Sequence, residues 1–220
     1  MSAHLQREIE RLKKKILSIS ARVEAAIQDA VKSLKNRDPA LAEKVIEGDA
    51  EIDRIEVEME EDCLKVLALY QPVAADLRYV VAVLKINNDL ERIGDQAVNI
   101  AERAEFLATQ KRLEFPGELT LMLEKAQAML RKSLDALINQ DAVLAREVIA
   151  QDDEVDDLNR KMYSLIQSCI CKEMDQLACF IAILSVSRQL ERIADQVTNI
   201  AEDIVYLVEG EIVRHAFKIE

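Results

Sequence analysis

One twelve-residue segment occurs twice in this chain, one hundred residues apart. Glu91-Arg92-Ile93-Gly94-Asp95-Gln96-Ala97-Val98-Asn99-Ile100-Ala101-Glu102 returns as Glu191-Arg192-Ile193-Ala194-Asp195-Gln196-Val197-Thr198-Asn199-Ile200-Ala201-Glu202, identical at nine of twelve positions. The chain is therefore an internal duplication, and any fold it adopts must be one unit built twice. Each copy lies on a heptad. Ile86, Leu90, Ile93, Ala97, Ile100, Ala104 and Leu107 step by four and three, and so do Val186, Leu190, Ile193, Val197, Ile200, Ile204 and Leu207. That period belongs to long helices packed nearly parallel or antiparallel.

Only four Gly and three Pro punctuate 220 residues, so the elements are few and long, and Trp is absent. A core of Leu, Ile, Val, Ala and Met favours helix on helix. The spacing predicts helices over 3–36, 39–70 and 73–109 in the first half. In the second half it predicts helices over 118–138, 142–170 and 172–209. Asp38-Pro39 supplies an N-cap and a first helical residue, Asp141 repeats the cap, and Gly210 ends the last helix. The offset between halves is 103 at Asp38/Asp141 but 100 at Glu91/Glu191, so the second half has lost three residues, most simply at the turn that Gln71-Pro72 marks in the first. The expected fold is all-α: two tandem antiparallel three-helix bundles, residues 1–109 and 117–210, joined end to end.

The duplicated segment also carries chemistry. Glu91, Asp95 and Asn99, and again Glu191, Asp195 and Asn199, stand one helical turn apart and form an oxygen-rich stripe. With the heptad seam at 0°, the first three fall at about 140°, 180° and 220°, an outward face. The preceding helices add Asp49 and Asp53, then Asp152 and Asp156, beside their apolar seams. Acidic residues on outer faces are usually only solvated. Here the repulsive i,i+4 spacing, which costs about 0.2–0.5 kcal/mol per pair, occurs four times at matching places. A cation removes that repulsion. Carboxylates with an Asn carbonyl suit hard cations such as Mg²⁺, Mn²⁺ or Ca²⁺ and also hold iron. His4 and His215 lie at the termini, outside both groups, and a ferritin-like di-iron site is disfavoured because no inward Glu-x-x-His pair exists.

Several classes of function are disfavoured. A net charge of −12 opposes nucleic-acid binding, and the basic run Lys13-Lys14-Lys15 reads as a solvated face. No apolar run is long enough to span a bilayer, and the charged residues 1–20 are not a signal peptide, so a cytoplasmic protein with reduced thiols is expected. Cys63, Cys169, Cys171 and Cys179 read as buried or half-buried thiols, because a helical Cys-x-Cys pair points its sulfurs about 200° apart. No nucleophile stands beside a base and no Gly-rich phosphate loop is present, which argues against an enzyme. Arg92 and Arg192 accompany the acids, either as exposed ion-pair partners or as anchors for an anion or partner.

The paired Leu-Glu-Arg-Ile-(Gly/Ala)-Asp segments (90–95, 190–195), the Asn-Ile-Ala-Glu after each, and Gln71-Pro72-Val73-Ala74-Ala75-Asp76-Leu77-Arg78 resemble the PhoU family, over nearly the whole chain. The resemblance implies two three-helix bundles in a cytoplasmic, often dimeric protein with surface iron- or zinc-type clusters, possessing an (Glu/Asp)-x-x-x-Asp metal motif. Asp49/Asp53, Glu91/Asp95, Asp152/Asp156 and Glu191/Asp195 match that motif. It also implies negative regulation of phosphate uptake and of the phosphate-starvation response, by linking the ATPase of a phosphate ABC transporter to a membrane sensor histidine kinase. The membrane would be reached only through those partners. The alternatives are a metal-dependent phosphate-ester hydrolase and a metal-free helical scaffold. Gln176-Leu177-Ala178 replaces Asp76-Leu77-Arg78 in the second half, so Asp76 and Arg78 serve one bundle only.

Overall fold

A computed structural model describes residues 3–213, and all their regular structure is helical. The first half is α1 (Ala3–Asn36), α2 (Pro39–Tyr70) and α3 (Ala74–Thr109). The second is α4 (Gly117–Asn139), α5 (Ala142–Ile149), α6 (Asp152–Ile170), a 3₁₀ turn (Met174–Gln176) and α7 (Leu177–Glu209). His215 lies outside the described residues.

The helix starts are chemical copies of each other. Asp38 Oδ1 accepts from Leu41 N at 3.1 Å, and Asp141 Oδ1 from Leu144 N at 3.0 Å. The residue before each cap, Arg37 or Gln140, is left-handed, with φ of 56° and 51°. Gly210 closes α7 in the same conformation at φ 77°. Asp38→Ala and Asp141→Ala are each expected to cost about 1 kcal/mol, read as a lower urea midpoint at unchanged slope.

Both heptads are buried as expected: Ile86, Leu90, Ile93, Ala97 and Ile100, and their counterparts Val186, Leu190, Ile193, Val197 and Ile200, exclude solvent completely. The bundles are not joined end to end. α3 and α7 pack side by side and antiparallel in the most extensive helix pair of the molecule. Lys85 Nζ meets Asp203 Oδ1 at 3.2 Å, and Arg92 shares a groove with Asn199. Arg131 on α4 reaches Glu24 on α1 at 3.3 Å, so the outer helices touch as well. Polar residues, Lys85, Arg92, Asn199 and Asp203, meet across α3 and α7, and the apolar periodicity did not reveal this packing.

The expected helix over 142–170 is broken. α5 stops at Ile149 and α6 starts at Asp152, with Ala150 and Gln151 between them. Of the cysteines, Cys63 and Cys179 are buried and Cys169 half-buried, but Cys171 is exposed because it lies just past the end of α6; all four are free.

Candidate metal centre

The acidic stripes do not face outward alone. In the first half the stripe runs along the seam between α3 and α2, where its acids meet Asp49 and Asp53. Gly94 makes this approach close: a Cβ added there would stand 3.3 Å from Asp49 Oδ1 and from Ile52 Cδ1. Burial, then Asp53 and Asp95, push the Asp49 carboxyl up to about 6. Burial raises Glu91 too, helped by Asp95, Asp53, Glu56 and Asp49, and burial and Asp53 raise Asp95. Acids of α2 and α3 thus act on one another, and Asp49, Glu91 and Asp95 become harder to ionise.

The second half repeats the arrangement between α6 and α7. Burial, then Asp195 and Asp156, push Asp152 up to about 6. The Thr198 hydroxyl faces Asp152 and offsets part of the rise, but their geometry falls short of a hydrogen bond: Asp152 Oδ1 and Thr198 Oγ1 are both buried without a partner. Glu191 is raised by burial and by Asp156, and pulled back by Arg188 and Arg192. Asp156 also lies 3.9 Å from Arg160.

Asn99 and Asn199 are placed differently from the acids. Asn99 Nδ2 donates to the Asp95 carbonyl of its own helix at 2.7 Å. Asn199 lines the groove between α3 and α7, on another flank. The sequence reading missed Glu56, which is raised by burial, Glu60 and Asp53 and acts on Glu91. Extending the Asp49, Asp53 series to its next turn would have found it.

Among the described residues no group of three or more His, Cys, Asp or Glu stands in metal-coordinating geometry. The acids face one another across the helix seam without converging on a point. The unpartnered Asp152 Oδ1 and the raised acids are nevertheless what a hard cation satisfies, since it neutralises the charges and fills the vacant lone pairs.

The PhoU domain family model matches twice, over residues 16–104 and 119–204, one match for each bundle. The chain belongs to the PhoU family. It is 39% identical over 211 residues to a phosphate-specific transport system accessory protein PhoU homolog of Aquifex aeolicus, covering 96% of each chain. The crystal structure of PhoU from Pseudomonas aeruginosa superposes with a TM-score of 0.91 at 33% identity, covering 94% of this chain and 99% of that one. The phosphate transport system regulatory protein PhoU from Streptococcus pneumoniae superposes at 0.84 with 29% identity, covering 95% and 99%. No helix among the described residues is long and apolar enough to cross a membrane.

Proposed function

We propose that this PhoU-family chain is a metal-binding regulatory adaptor of phosphate uptake, acting without turnover. The observation that carries the metal is the pair of matching acidic seams, in which Asp49 and Asp152 are both pushed to about 6. Asp49, Asp53, Glu91 and Asp95 would hold cations in the first bundle, and Asp152, Asp156, Glu191 and Asp195 in the second. The bound charge would tie α2 to α3 and α6 to α7, so metal content sets how firmly each bundle presents its surface. The metals would be iron- or zinc-type clusters, as the resemblance implies, and the all-oxygen ligands also admit Mg²⁺, Mn²⁺ or Ca²⁺.

The relatives named as accessory or regulatory proteins of phosphate transport support the adaptor role. In that role a cytoplasmic homodimer contacts the transporter ATPase and the sensor histidine kinase, and damps uptake and the starvation response when phosphate is plentiful. Affinity capture of the tagged chain from cells grown with and without phosphate tests this. Both partners should be recovered, in a ratio that changes with phosphate. Turnover of phosphate esters by metal-loaded protein, abolished by Asp95→Asn with Asp195→Asn, would replace the adaptor reading with a hydrolase.

A further inference from the structure

The duplication builds one groove twice, and the two copies differ in charge. The first is an opening of about 390 Å³ lined by Glu60, Leu84, Lys85, Asn88, Asp89 and Arg92, together with Glu56 and Asn199. The second, of about 380 Å³, is lined at the equivalent positions by Tyr163, Leu184, Ser185, Arg188, Gln189 and Arg192. The first therefore carries three acids and two bases, while the second carries two arginines and no acid. Every acid of the first copy has a neutral counterpart. Glu60 becomes Tyr163, Asp89 becomes Gln189, and Glu56, which accepts from Asn87, becomes Asn159, which accepts from Ser187 at 2.6 Å. This is a local excess of positive charge on a chain of net charge −12.

We infer that the groove of Arg188 and Arg192 is an oxyanion subsite for a phosphate-class ligand, a role its counterpart in the first half cannot take. The arginines stand four residues apart on α7 and therefore project from successive turns toward one opening. Among the described residues neither makes an ion pair or a side-chain hydrogen bond. The carboxylate they act on, Glu191, also feels Asp156 and Asp152 and does not line the groove. Gln189 is 8% exposed, so a neutral amide is held in the wall where the first groove buries Asp89. The hydroxyls of Tyr163 and Ser185 complete a donor set around the guanidinium forks, which match the planar edges of a phosphate. The oxyanion is either free phosphate or the phosphoryl group of a modified side chain, both of which present the same oxygens.

The experiment is calorimetric titration of the full chain in chelator, so that no metal-held phosphate contributes. One arm uses inorganic phosphate and the other a phosphoserine peptide, with the unphosphorylated peptide as control. Saturable binding is expected. It should weaken by about tenfold or more in Arg188→Gln with Arg192→Gln, and equally in Gln189→Asp, which keeps both arginines and restores the acid of the first half. Arg92→Gln in the first groove should leave it unchanged. If the double variant does not fold, Gln189→Asp carries the test, since the first half already buries Asp89 at that position, 7% exposed. Binding of the peptide but not of free phosphate would assign the oxyanion to a phosphorylated segment. Binding of neither, or equal binding by wild type and Gln189→Asp, overturns the inference. These outcomes are independent of the adaptor role, and the Gln189→Asp arm leaves both arginines that act on Glu191 in place.

Discussion

In metal-free protein, Asp49→Asn combined with Asp152→Asn is expected to raise the melting temperature at about pH 7.5 and to flatten the dependence of stability on pH. Both carboxyls are pushed from 3.8 to about 6 in the folded chain by burial and by the acids around them. A folded-state value above the unfolded one means that the native state holds the proton more tightly. The stability this contributes is fully present below 3.8 and is lost as pH rises through about 6. A shift of two units corresponds to about 3 kcal/mol, and solvent screening of these half-buried groups reduces it to about 1–2 kcal/mol each. Wild type in chelator should therefore melt higher at about pH 5 than at about pH 7.5, whereas the amide variant should show little difference. Adding a divalent cation reverses the comparison at the higher pH, because only wild type gains the mass-action stabilisation of a bound ion. Equal melting of metal-free wild type at the two pH values would show that the acids are merely solvated.

Leu90→Ala and Leu190→Ala should each cost about 2–5 kcal/mol, since both side chains are fully buried in the helix seams. The informative measurement is the shape of the calorimetric trace. The buried cluster is continuous from Leu5 to Val213 across both halves. Damage to either bundle should then lower one shared transition, by about 5–15 °C for a chain of this size. A trace that splits into an unmoved and a shifted peak would show that the bundles melt independently, and that the contact between α3 and α7 couples them weakly.

Much of this architecture was legible in the residues. The heptads of α3 and α7 predicted their buried faces, and Asp38 and Asp141 announced two identical helix starts. The spacing singled out Asp49, Asp53, Glu91 and Asp95, but it placed Glu91 and Asp95 on an outward face, and only the close approach of α2 at Gly94 brings them beside Asp49. The pairing of α3 with α7 was not legible. Lys85, Asp89, Arg92, Asn199 and Asp203 look like a solvated face, and only the tertiary fold turns them toward one another. The placement of Asn199 failed for the same reason: a stripe on one helix divides between two neighbours when the helix has contacts on both flanks. The break at Ala150 and Gln151 runs against intrinsic preference. The corresponding residues of α2, Glu47 and Gly48, include the poorer helix former, yet α2 continues through them.

That break gives the two acidic seams different mechanics. Asp49 and Asp53 ride on an unbroken rod of 32 residues. Asp152 and Asp156 ride on a segment that begins at a joint, with Asp152 its first residue. A cation entering the first seam would meet a wall already set, whereas one entering the second would also have to fix the angle at which α6 leaves α5, and part of its binding free energy would be consumed there. Gene duplication thus supplied two stations of the same composition and unequal compliance. Under the proposed metal role, such a chain would read a graded metal supply with a stiff station and a yielding one, which four more carboxylates on an identical frame would not allow.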